Sequence, residues 1–214
     1  MSLLEIDSVN FSYGNNPILS GIYLKVTKGE VVGFLGRNGC GKSTLLKVIF
    51  GSLKGENQSV RIAGRYCKSP FQSGMIKFMP QNGLFPEFLT AKSAVKMYCS
   101  DMEKLLDDPT VSQYFQYPFD QMSGGVAKYV ETLIVLYSPA KFVLLDEPFS
   151  YVAPVLVERL IPIIKSVAQE KGILMTDHQY QSILDVSDRL YLLRNRALYS
   201  ITDVQDLADM GYIR

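Results

Sequence analysis

"GRNGCGKST", residues 36 to 44, sets Gly36, Gly41, Lys42 and Ser43 at the spacing G-x-x-x-x-G-K-[ST]. "EVVGFL" before it reads as a buried strand, and "LLKVIFGS" after it reads as an apolar helix closed by Gly51. A strand, a glycine-rich turn and a helix in that order make a cradle for a phosphate chain. The glycines leave backbone N–H groups free to wrap the anion, and the helix N-terminus adds a positive field. Lys42 is placed to neutralise β- and γ-phosphate charge, and the Ser43 hydroxyl to ligate Mg²⁺.

Outward from this loop, residues 1 to 35 alternate apolar and polar positions with Gly/Asn/Pro punctuation at "YGNNP" and "TKGE", a pattern of short strands and turns. From about 86 to 135 the strand character fades, and "TAKSAVKMYCSDMEKLLDD" and "GGVAKYVETLIVLYS" take helical spacing. "AKFVLLDEP" and "KGILMTDH" then return as short buried strands around the helical "APVLVERLIPIIKSVAQEK", the βαβ rhythm of a parallel sheet covered by helices. Pro154 and Pro162 are expected to bound or bend that helix. The chain therefore reads as one domain over 1–214. Segments 1–85 and 136–214 form its β-rich part and core, and 86–135 forms a helical insertion.

Composition narrows the functional classes. Lys plus Arg number 22 against 21 Asp plus Glu, so there is no global field to gather nucleic acid or acidic lipid, and no local basic patch stands out. Nucleic acid is not an expected partner. Three cysteines without CxxC or Cys/His spacing argue against a disulfide framework or a structural zinc, and fit a reducing cytoplasm. "MSLLEIDSVNFSYG" carries acids where an export signal needs a basic start and a continuous apolar stretch. No apolar run approaches the roughly 20 residues that span a bilayer, so any membrane role must come through a partner.

Asp146 ends the apolar strand "FVLL", which brings its carboxylate to the sheet edge where Mg²⁺ on Ser43 would also sit. Glu147, pointing elsewhere, is placed to polarise an attacking water. Alone, a strand ending in Asp-Glu is an ordinary solvated end; beside a phosphate loop it reads as a hydrolytic pair. In "MSGGV", residues 122 to 126, Ser123, Gly124 and Gly125 offer a hydroxyl and open N–H groups at a helix start, an anion site or a plain N-cap. His178, the only histidine, follows a buried strand in "ILMTDH".

With "GRNGCGKST", "MSGGV", "LLDEP" and "TDH" in this order, the chain resembles the nucleotide-binding subunit of ATP-binding cassette (ABC) transporters over essentially its whole length. The resemblance implies an α/β fold: a P-loop NTPase (RecA-like) core with an antiparallel β subdomain and a small helical insertion. It implies ATP hydrolysis with ATP and Mg²⁺ as cofactors. Tyr13 would stack on adenine, unless it is a strand tyrosine packing on the core, and Gly36, Asn38, Gly39, Cys40, Gly41, Lys42, Ser43 and Thr44 would surround the phosphates. Gln81 in "MPQN" would link metal and water to the helical insertion, so that Ser43, Gln81 and Asp146 hold the metal while Glu147, His178, Lys42 and Gln81 serve catalysis. Ser123, Gly124 and Gly125 would face the γ-phosphate bound by a second ABC subunit, in a head-to-tail homodimer. The remaining implied partner is a transmembrane permease, holding the chain peripherally at the cytoplasmic face of a membrane. Phe85 and Phe88 in "GLFPEF" would either dock it or fill the helical insertion.

Three positions depart from the family pattern. "MSGGV" is similar to the family signature, usually Leu-Ser-Gly-Gly-Gln, with Val126 in place of its Gln; Ala153 stands where many relatives carry the Asp of a loop that crosses to the partner, and Tyr129 sits where Arg is common. "DEPFSYVAPV" is similar to the Phe-x-x-Val-x-Pro wording of cassette ATPases for lipopolysaccharide export and branched-chain amino-acid uptake. Cys40 is either a small loop residue or a thiol whose pKa the helix field lowers, making it reactive. Two other classes share these motifs: a cassette ATPase acting on ribosomes or DNA, and an ATP-binding regulatory module with little turnover.

Overall fold

The computed structural model describes residues 3–99 and 101–213. The chain opens with β1 (Leu3–Tyr13) and β2 (Asn16–Thr27), an antiparallel hairpin whose strands are longer than the short strands expected. Register shifts between Ile6 and Ser12 let the long β1 bend while Leu4, Ile6, Val9 and Phe11 stay buried. Next come β3 (Val31–Leu35), α1 (Lys42–Phe50), β4 (Asn57–Ile62), β5 (Arg65–Tyr66) and β6 (Ile76–Met79). A helical stretch follows: α2 (Ala91–Tyr98), α3 (Met102–Leu106), α4 (Pro109–Tyr114) and α5 (Gly124–Leu136). The remainder is β7 (Phe142–Asp146), α6 (Pro154–Ala168), β8 (Gly172–Thr176), α7 (Tyr180–Val186), β9 (Arg189–Arg194), β10 (Ala197–Ile201) and α8 (Val204–Asp209).

The strands form two sheets, an antiparallel one in the order β2-β1-β4-β5 and a larger one in the order β10-β9-β3-β8-β7-β6. In the larger sheet every pairing is parallel except β10 with β9. β3, β7 and β8 are buried along their whole length, which is why they read as continuous apolar runs. Helix α1 contributes Leu45, Leu46, Val48 and Ile49 to one core shared with the hairpin, while a second core joins α5 and α6 to the far face of the large sheet. The parallel strands β3 and β7 therefore end at one edge, which carries both the 36–44 loop and Asp146. Crevices outside the carboxyl ends of parallel strands are where such sheets bind ligands.

One local reading changes and one holds. The stretch 90–108 is not one helix: α2 stops at Tyr98, Cys99 is extended at φ −96 and ψ 142, and α3 restarts after its N-cap Asp101. Ser100 lies outside the described residues. Pro154 opens α6, and Pro162 lies inside it, where it deletes one backbone donor from the ladder. No helix among the described residues is long and apolar enough to cross a membrane.

Candidate active site

The 36–44 loop turns from β3 into α1 through Gly41, whose φ of 111 suits glycine and whose added Cβ would come within 2.7 Å of Ile18 Cγ2. Lys42 is 6% exposed, and its Nζ donates to the Gly36 carbonyl at 2.8 Å and the Arg37 carbonyl at 3.4 Å. The ammonium is thus folded across its own loop, held by uncharged acceptors that an anion would displace.

Ser43 Oγ donates to Asp146 Oδ1 at 3.0 Å, and Thr176 Oγ1 donates to the same oxygen at 2.8 Å. Burial pushes the Asp146 carboxyl above its usual range, against the opposing pull of these two hydroxyls. A hydroxyl from α1 and a carboxylate from β7 meeting at one point are hard oxygen donors of the kind that suit Mg²⁺.

Glu147 has a φ of +53, a left-handed conformation rare for a residue with a side chain. Its backbone N–H donates to the Thr176 carbonyl at 2.9 Å, which helps hold the strained turn. Glu147 Oε2 accepts from Gln81 Nε2 at 2.8 Å and from Ser150 Oγ at 3.0 Å. Ser150 Oγ also lies 3.2 Å from His178 Nδ1, so Gln81, Glu147, Ser150 and His178 form one polar network.

These groups border a cleft of about 610 Å³, within the range that takes a small-molecule ligand. Tyr13 and Ile18 line it from the β-hairpin, Asn38, Gly39, Gly41, Lys42, Ser43 and Thr44 from the loop, and Gln81, Glu147, Tyr151 and His178 from the strand ends. Tyr13 is 55% exposed, with its ring edge-on to Phe11, so it is a cleft residue rather than core. Asp146 is almost fully buried and reaches the cleft through Ser43.

Other expected positions fall elsewhere. Ser123, Gly124 and Gly125 do not line this cleft. Ser123 caps α5 by accepting from Val126 N at 3.4 Å, and Gly124 lines a neighbouring cleft of about 420 Å³ with Gln81 and Tyr151. Gly125 packs so closely that an added Cβ would sit 2.3 Å from the Tyr151 carbonyl oxygen. Cys40 lines a separate cavity of about 300 Å³ with Arg37, Arg194 and Tyr212, and burial raises its pKa despite the Lys42 charge. The lowered, reactive thiol is thereby corrected: desolvation disfavours the thiolate.

Phe85 is no free docking residue, because it stacks on Phe119 and meets Tyr98 edge-on, filling the helical layer; only Phe88, 77% exposed, remains outward. Tyr129 lies in the core, not on the surface of α5, and donates to Asp108 Oδ2 at 2.6 Å. Val126 packs partly against the same core, and Ala153 is the N-cap of α6 without a capping side chain. Sequence reasoning missed Thr176, Ser150, Tyr151, Lys128 and Glu131. The signal for Thr176 was a polar last residue on the apolar strand of "ILMTDH", and for Lys128 and Glu131 two charges in an otherwise largely apolar helix.

The family model described as ABC transporter matches residues 19–150, and the chain belongs to that family. It is an ATP-binding cassette ATPase. It is 28% identical over 208 residues to the high-affinity branched-chain amino acid transport ATP-binding protein BraG of Pseudomonas aeruginosa, covering 90% of this chain and 89% of that one. It is 29% identical over 211 residues to the lipopolysaccharide export system ATP-binding protein LptB of Haemophilus influenzae, covering 90% and 87%. A solved ATP-binding subunit of an ABC transporter shares the fold at a TM-score of 0.85 and 20% identity, covering 98% of this chain and 94% of that one. So does a nucleotide-free ATP-binding cassette at 0.83 and 22%, covering 100% and 96%.

Proposed function

We propose that two copies of this chain pair head to tail around two ATP molecules with Mg²⁺. Each nucleotide lies between one copy's phosphate loop and the other's Ser123, Gly124 and Gly125. Closure and reopening of the pair then drive a separate transmembrane permease at the cytoplasmic face of a membrane, with exposed Phe88 on the contact side. The supporting observation is the convergence of Lys42, Ser43, Gln81, Glu147 and His178 on one cleft, while the signature residues remain outside it at the start of α5. Relatives are named for branched-chain amino acid transport, lipopolysaccharide export and, in Vibrio parahaemolyticus, thiamine import.

Backbone N–H groups of the loop from Gly36 to Thr44 cradle the phosphates, Tyr13 stacks on the base, and Lys42 and His178 meet γ-phosphate charge. Ser43, Asp146 and Gln81 would hold Mg²⁺, which when bound neutralises phosphate charge. Glu147 orients water and accepts its proton as the water oxygen bonds to the γ-phosphorus and the bond to the β-phosphate oxygen breaks. Gln81 and Ser150 keep that carboxylate aimed. Steady-state phosphate release compares the parent with Glu147→Gln: the variant should lose roughly 10²- to 10⁴-fold in turnover. Parental turnover in the variant would contradict this assignment.

A further inference from the structure

Residues 81–85, the loop after β6 that carries Gln81 and is called the glutamine loop below, are gripped at both ends by two buried charges one turn apart on helix α5. Lys128 Nζ donates to the Gln81 carbonyl at 2.6 Å and approaches the Asp146 carbonyl at 3.5 Å. Glu131 Oε1 accepts from the backbone N–H groups of Leu84 and Phe85, each at 3.0 Å. Lys128 is 7% and Glu131 4% exposed. Residues three apart share a helix face, so both side chains reach the same loop. Between their anchor points, Gly83 lies so close that an added Cβ would be 3.3 Å from Glu131 Oε2. The side chain of Gln81 meanwhile donates to Glu147 Oε2 at 2.8 Å. One short loop is therefore bound through its side chain to the hydrolytic carboxylate and through its backbone to the helix that Ser123 caps. Buried charges with fixed partners resist sliding, because a shift leaves charge and amide groups unpaired in the interior.

We propose that Lys128 and Glu131 are positioning residues that make the glutamine loop and α5 one rigid body. Movement of Gln81 at the Glu147 carboxylate is thereby delivered to Ser123, Gly124 and Gly125, the residues facing the partner copy. Neither charge touches the reacting atoms. The inference rests on the reading of ATP hydrolysis given above.

A double-mutant cycle on phosphate release by the full chain tests it, using Lys128→Met, Gln81→Ala and the pair. Lys128→Met should lower kcat at least about tenfold while KM for ATP stays within about twofold, the mark of an interaction made toward the transition state. The pair should be no slower than the slower single variant, since coupled residues are non-additive. Lys128→Arg, which still donates to the Gln81 carbonyl, should restore kcat to within about threefold, and Glu131→Gln, which keeps the acceptor oxygen, should stay as close to the parent. Additive losses, a raised KM with unchanged kcat, or no rescue by Arg would overturn the proposal. Glu147→Gln separates the two levels. If it fails to stop turnover, the active-site reading falls and the coupling with it. If it stops turnover while the cycle is additive, the coupling alone falls.

Discussion

The phosphate loop and the edge formed by the start of α5 and the 147–153 loop are the two regions that the proposed pairing brings to one phosphate chain, yet they differ in how complete they are within one chain. In the loop, Lys42 and Ser43 already have acceptors at Gly36 and Asp146, held in a buried frame. At the other edge, Ser123 caps only its own helix, Tyr151 is 90% exposed at a φ of +64, and Ala153 offers α6 no capping group. Two of the three departures from the family pattern, Val126 and Ala153, fall on this second region, while the first keeps its motif whole. A site whose polar groups are satisfied internally can be preorganised by the monomer. In the proposed pairing, the strained, exposed edge would be finished by the second copy.

The sharpest way to break this contrast is Gly125→Ala, whose Cβ would sit 2.3 Å from the Tyr151 carbonyl oxygen. The start of α5 or the 150–152 backbone must shift, and a displacement near 1 Å should lower kcat about 10²-fold. ATP affinity at the phosphate loop should hold within about twofold, as read by nucleotide titration beside the phosphate-release assay. Parental turnover would mean that this edge takes no part in catalysis.

A smaller effect sharpens the same contrast. Ala153→Asp supplies α6 with a side-chain acceptor at its N-cap, which is worth about 1 kcal/mol. Thermal melting of the isolated chain should rise by about 2–4 °C for a domain of this size. An unchanged or lower melting temperature would show that the cap position does not accept the acid in the single chain.

The phosphate loop was legible because its spacing is local: strand, glycines, lysine and helix follow one another without interruption. The acid pair was legible for the same reason, since an apolar strand fixes where Asp146 emerges. The turn that aims Glu147 away from Asp146 depends on a left-handed φ that no residue type announces. The place of Tyr129 in the core is not legible in the sequence, because its partner, Asp108, is 21 residues upstream and is met only when α4 packs on α5. Lys128 and Glu131 escaped for a related reason, their contacts to the glutamine loop spanning 46 to 47 residues. Cys40 sits in the most legible stretch of all, yet it lines a cavity with Arg194 and Tyr212 rather than the phosphate cleft, a matter of tertiary packing.

The most direct test of a site completed by a second copy is the sedimentation of Glu147→Gln with and without ATP and Mg²⁺. The 24.0 kDa chain should sediment as a monomer without nucleotide and as a species of twice that mass with it, and removal of Mg²⁺ should allow turnover-independent dissociation. A chain that binds ATP and remains a monomer at high protein concentration would contradict the account.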